Sequence, residues 1–224
     1  MTSAVDGLKQ RFMAMSQPDA DGVYRNGAAK RKARTDLAMG NLTQLWNEAC
    51  EAVSFDVPAT GIGLGAVGSL ARGQVGPSSD LDLVVIYELH ALTDQQLNEL
   101  ANKLWYPIWD SGLDLDQSVR TVAQCEAVTD RDLPAAMGWL DVVPIAGDTG
   151  LIESTAVSIL ERWRKAARKR LPELLGSAKS RLDEFGRMAT STSRTSKRHA
   201  WFARLRIGVR ARRILACRPS ARHV

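Results

Sequence analysis

Gly68-Ser69-Leu70-Ala71-Arg72-Gly73 is followed shortly by Ser78-Ser79-Asp80-Leu81-Asp82-Leu83-Val84-Val85-Ile86, a small-residue turn ahead of two carboxylates that open an apolar run. In a β-strand, side chains at i and i+2 share a face, with a rise of about 3.3 Å per residue, so Asp80 and Asp82 are expected to project side by side. Such a pair suits two magnesium ions about 3.5–4 Å apart, one activating an attacking oxygen and the other steadying a leaving phosphate. Upstream, Gly68 permits close backbone approach, and Ser69 at a turn entering a helix offers N–H groups and a hydroxyl to a phosphate. Asp-x-Asp pairs are common at solvated strand ends. Here, however, Leu81, Leu83, Val84, Val85 and Ile86 read as a strand buried on both faces, where acids carry a desolvation cost that partners or cations must offset.

A third acid is at hand in Leu113-Asp114-Leu115-Asp116, which alternates as a strand does. Asp114 and Asp116 share a face, so periodicity leaves the choice between them open. We favour Asp114, flanked by Leu113 and Leu115, as the deeper position, with Asp116 nearer the strand's exit. Between the two acidic segments lies a helix. Thr93 and Gln96 read as a capping box, Leu97, Leu100, Ala101, Leu104, Trp105 and Ile108 form one apolar stripe, and Pro107 with Gly112 marks the stop.

A Gly-Ser turn, then Asp-x-Asp on a strand, then one acid on a later strand resembles the DNA polymerase β-like nucleotidyltransferase superfamily. Within it, residues 68–73, Pro77 to Leu83, Leu104 to Trp109 and Ser118-Val119-Arg120-Thr121 are similar to the N-terminal domain of bacterial protein-PII uridylyltransferases. Thr129-Asp130-Arg131-Asp132-Leu133 and Ile145-Ala146-Gly147-Asp148 resemble the helical stretch that follows the catalytic core there. The resemblance spans about residues 35–185.

It implies an α/β domain with a short mixed sheet, flanking helices and a helical extension. It also implies transfer of a nucleoside monophosphate, UMP by family default, from a triphosphate to a tyrosine of the PII signalling protein, with pyrophosphate released. Carried over by motif, Asp80, Asp82 and Asp114 would bind Mg2+ and catalyse, Asp114 helping to activate the hydroxyl. Gly68, Ser69, Arg72 and Ser79 would bind the nucleotide, UTP or ATP. Arg72 is weighed against an ordinary salt bridge, and Arg120, one turn beyond the acidic strand, against packing or helix capping. Ser69 and Gln74 depart from the family, which more often has glycine and an acid there.

Along the chain we expect a polar, mobile lead over 1–34, the transferase domain over 35–148, the helical extension over 149–186 and a basic tail over 187–224. The run Lys30-Arg31-Lys32-Arg34 reads as a solvated face, and the stretch from Ile152 to Arg170 as a helix ending in cations. The net charge of +5 comes from the end of the chain: all 25 acids lie within residues 1–184, alongside 19 of the 30 Lys and Arg, and the other 11 lie beyond. Because the resemblance stops near residue 190, where a Ser- and Arg-rich run begins, the tail reads as disordered and as a truncation or frame-shift scar.

The family's hydrolase and glutamine-sensing domains are not expected in 224 residues, and His90, His199 and His223 assemble no His-Asp cluster. Three widely spaced cysteines fit a reducing cytoplasm and no zinc pattern. No apolar run reaches transmembrane length, so no membrane is expected as partner. With the Lys30–Arg34 run read as a solvated face and the basic tail as a scar, nucleic acid is not expected either. Adenylyl transfer, an inactive remnant and a nucleic-acid-binding arm on a degenerate domain are the competing readings.

Overall fold

The computed structural model describes residues 3–18, 22 and 26–190; the basic tail beyond lies outside the described residues. The chain divides into two units, Met1–Trp163 and Arg164–Val224. In chain order the elements are α1 (Leu8–Ala14), α2 (Gly27–Ala52), β1 (Ile62–Ala66), α3 (Gly68–Ala71), β2 (Leu81–Tyr87), α4 (Asp94–Asp110), β3 (Leu115–Thr121), α5 (Val122–Arg131), α6 (Leu133–Trp139), β4 (Val143–Gly147) and α7 (Thr149–Thr190).

Four strands form one mixed sheet in the order β3-β2-β1-β4. β1 pairs antiparallel with β2 and β4, while β2 and β3 are parallel, joined through α4. The run Leu81–Ile86 is buried on both faces, as its unbroken hydrophobicity requires. Leu81, Leu83 and Val85 pack with Leu64 under α2 and α4, whose stripe from Leu97 to Ile108 joins that core. Val84 and Ile86 face the other way, into a cluster with Cys125, Trp139, Val142, Ile152 and Ile159 from α5, α6 and the start of α7. On that second face Gly65 allows close packing, because a Cβ there would come within 3.3–3.4 Å of Ile152, Val143 and Val142.

The Thr93 capping box forms as expected, Gln96 N–H donating to Thr93 Oγ1 and Thr93 N–H to Gln96 Oε1. A second box, Thr121 with Gln124, opens α5. Pro107 sits in the last turn of α4, which continues to Asp110 before Gly112 takes φ +75°, the stop that the sequence placed there.

Several expectations need correction. The lead is not simply polar: Val5, Leu8 and Phe12 are fully buried in the first core, at spacings of three and four residues. Arg34 is not a solvated cation either. Only 4 % exposed, it donates from Nε to the Phe12 carbonyl (3.0 Å) and from Nη2 to Ser16 Oγ (2.7 Å), and burial holds its pKa below the ordinary value. The segment 143–147, grouped above with a helical stretch, is a strand. Its β-branched residues suit the sheet edge, where Pro144 is tolerated beside the register shift at Leu64/Gly65. Arg120 likewise lies within β3 and not one turn beyond the acidic strand.

The first turn of α7 is held by Asp148, which accepts from Leu151 N–H (2.9 Å) and from Gly61 N–H (2.8 Å) at the start of β1. These amides hold its carboxyl below the usual range. Arg162 ties α7 to α5 through Asp130 and Glu126. In the second unit the described helical stretch carries an Arg170–Glu173 ion pair at 3.5 Å and exposed Leu171 and Leu175. No helix among the described residues is long and apolar enough to cross a membrane.

Candidate active site

β1 ends at Ala66, and the chain turns through Val67 into the single turn of α3. Val67 N–H donates to the Asp82 carbonyl at 3.0 Å, which fixes the turn beside the first residues of β2. Gly68 stands there at φ +65°, and a Cβ on it would lie 1.7 Å from Asp82 Oδ2. The Asp82 carboxylate therefore rests directly on the Gly68 backbone, a contact that glycine alone permits. The next residue, Ser69, is 3 % exposed, and its buried hydroxyl has no hydrogen-bond partner among the described residues. Such a group costs about 1–3 kcal/mol to leave unsatisfied, and it marks a place that a polar ligand would fill.

The expected acids fall as follows. Asp80 is exposed and immediately precedes β2, not within it, and Asp82 is the second residue of the strand. Its alternation puts Asp82 on the face of Val84 and Ile86, beneath α5 to α7. β3 runs in parallel with Asp116 directly opposite Asp82 and Leu115 opposite Leu81. Asp114 precedes the strand, its carbonyl accepting from Leu81 N–H at 2.8 Å, so it extends the same register toward Asp80. The strand therefore begins later than the sequence suggested, and Asp116, not Asp114, is the acid inside the sheet.

No group of three or more His, Cys, Asp or Glu comes together to hold a metal among the described residues. Magnesium does not require one: it commonly takes one or two carboxylates and completes its shell with water and substrate phosphates. Asp82 against the Gly68 backbone, with the unpartnered Ser69 hydroxyl next to it, is consistent with such a shared site.

The remaining candidates have protein partners. Ser79 Oγ accepts from Gly76 N–H at 2.8 Å and closes the turn that delivers Asp80. Arg72 caps α3 and forms a buried ion pair with Asp141, Nη1 to Oδ2 at 3.1 Å. Sequence reasoning missed Asp141. The available signal was one acid inside the otherwise apolar run from Trp139 to Val143, a position where an unpaired carboxylate is costly. Arg120 lies in β3 opposite Ile86, on the acidic face, with its Nε buried and lacking a hydrogen bond among the described residues. Cys125 is no candidate nucleophile: burial pushes its thiol up to about 12, so the reactive thiolate is scarce at neutral pH.

Residues 43–131 match the family described as "Nucleotidyltransferase domain". The chain is 40 % identical over 164 residues to the bifunctional uridylyltransferase/uridylyl-removing enzyme of Streptomyces coelicolor, a match covering 73 % of this chain and 19 % of the relative. It is 33 % identical over 172 residues to the enzyme of the same name from Mycobacterium tuberculosis, over 70 % of this chain and 21 % of that one. The chain thus spans about a fifth of the length of these curated relatives. A solved structure titled "Crystal structure of the toxin-antitoxin with AMP-PNP" aligns at TM-score 0.35 and 17 % identity, covering 59 % of this chain and 95 % of that one.

Proposed function

From the premise that this chain carries a nucleotidyltransferase domain similar to that of the uridylyltransferases, we propose that it transfers UMP from UTP to a tyrosine hydroxyl of a PII-type signalling protein. The observation that carries the chemistry is the Asp82 carboxylate seated on Gly68 beside the buried Ser69 hydroxyl. A turn of this kind brings phosphate oxygens to the acids without a side chain intervening. Ser69 gains in the bound nucleotide the partner that it lacks among the described residues. Magnesium at Asp80 and Asp82 would neutralise phosphate charge and favour departure of pyrophosphate.

In the reaction the tyrosine oxygen attacks the α-phosphorus, the bond from that phosphorus to the bridging oxygen breaks, and pyrophosphate leaves. The phenolic proton must go to a base, since a tyrosine hydroxyl has a reference pKa of about 10. Asp114 is the acid that the family resemblance aligns to this task; the register of β3 favours Asp116, which faces Asp82. Localisation in the cytoplasm follows from the same reading, since the acceptor and the triphosphate are found there.

The test is incubation of the chain with PII protein, magnesium and each α-labelled triphosphate. Label from UTP on PII supports the proposal, label from ATP alone changes the nucleotide, and no label from any triphosphate with the fold intact rejects it.

A further inference from the structure

We propose that Arg72 and Asp141 form a positioning pair that holds the Gly68–Ser69 turn against Asp82, so that Arg72 serves the nucleotide through the turn's geometry and not as a phosphate ligand. This rests on the transferase reading above and deepens it.

Two anchors of one residue carry the argument. The Arg72 backbone N–H donates to the Gly68 carbonyl at 3.3 Å and closes α3 from within. Its guanidinium reaches Asp141 at 3.1 Å, in the connection between α6 and β4, and the two side chains are only 4 % and 5 % exposed. A helix of four residues has little stability of its own, because nucleation is costly and one turn recovers few hydrogen bonds. Contacts outside α3 must therefore fix it: Val67 N–H on the Asp82 carbonyl, Leu70 in the first core, and the ion pair, which reaches it from a segment 69 residues away. Asp141 is itself braced, donating its N–H to the Gly138 carbonyl at 3.1 Å.

The ion pair, and not burial as such, argues against direct phosphate contact. A triphosphate reaching the guanidinium would have to compete with a carboxylate already at hydrogen-bond distance. The Arg72 charge is locally balanced by Asp141, so it contributes little net attraction for an anion. Ser69, by contrast, follows Gly68 immediately, and any movement of α3 displaces both together.

The test is a double-mutant cycle in the full chain: Arg72→Met, Asp141→Leu and the two combined, with Arg72→Lys and Asp141→Glu as milder variants. The dissociation constant of a non-hydrolysable UTP analogue is measured with magnesium, and the KM and kcat of transfer are measured alongside, below each variant's melting temperature. Replacing both members of a buried pair by apolar residues commonly preserves the fold, so the double variant remains measurable where a single one unfolds.

The expected result is that each single variant weakens nucleotide binding at least about tenfold and that the double variant is no worse than the weaker-binding single, a coupling in the usual range for contacting residues. Asp141→Glu should recover most of the affinity. The inference is overturned if the two effects multiply, if Asp141→Leu leaves affinity unchanged while Arg72→Met reduces it, or if neither changes it. Wild-type chain that binds no triphosphate would reject the transferase reading as well, whereas wild-type binding with a multiplicative cycle rejects the pair alone.

Discussion

Asp82 and Gly68 define each other: the carboxylate occupies the volume that any side chain at position 68 would need. Gly68→Ala adds one methyl, yet at φ +65° and 1.7 Å from Asp82 Oδ2 it must push the acid away or unwind the turn. Misplacement of a reacting group by about 1 Å costs on the order of 100-fold in rate, so transfer should fall by about that factor while circular dichroism stays near wild type. A wild-type single-turnover rate for the alanine variant would show that this contact is dispensable. The two acids at the start of β3, one before it and one within it, give a second residue-level expectation. Asp116 faces Asp82 in register and Asp114 precedes the strand, so Asp116→Asn should slow the chemical step by roughly 10²–10⁴, the range for a lost general base, with the smaller effect at Asp114→Asn. The opposite ranking in single-turnover assays would return the role to Asp114. Sequence alternation showed that these two acids share a face, but not which of them lies opposite Asp82, because parallel register is fixed by packing of residues far apart in the chain.

Local signals predict local elements. Thr93 and Gln96 announce the start of α4 because both halves of the capping box lie within four residues, and Thr93→Ala should lower stability by about 1 kcal/mol, read as a drop in melting temperature with the nucleotide site unaffected. A stabilisation, or no change, would mean that the exposed cap contributes nothing. β4 was illegible for the converse reason. Val143 to Gly147 is short, contains Pro144, and becomes a strand only by pairing with β1, which lies some eighty residues earlier. Its junction with α7 yields a pH expectation. The amides of Gly61 and Leu151 depress the Asp148 carboxyl below its ordinary value of 3.8, so this group binds its proton more weakly folded than unfolded. Its contribution to stability is thus complete above the ordinary value and is lost as the pH falls through the depressed one. Denaturant titrations below pH 4 should show a gentler acid loss for Asp148→Asn than for wild type; parallel curves would remove Asp148 from the account.

Across the first unit, two apolar clusters on opposite faces of the sheet hold the fold, and the lead belongs to one of them. Its polar average hides Val5, Leu8 and Phe12, whose spacing is helical but too brief to stand out among Lys9, Gln10 and Arg11. Phe12→Ala should therefore cost about 3–5 kcal/mol in equilibrium unfolding, and a loss below about 1 kcal/mol would mark the lead as an accessory. The fold class and the acid face were legible because the turn, the buried strand and the crossover helix are consecutive in the chain. The clamp on Arg72 was not, since its partner comes 69 residues later. That separation has a consequence for biosynthesis. As the chain leaves the ribosome, β1, β2 and β3 emerge in turn and can pair with nearest neighbours, bringing Asp82 and Asp116 abreast by residue 121. Asp141 and β4 arrive only afterwards. A nascent chain arrested between those points would hold its acids in register around a turn still lacking its buried ion pair, so the ability to grip a nucleotide would follow the pairing of the acids and not accompany it.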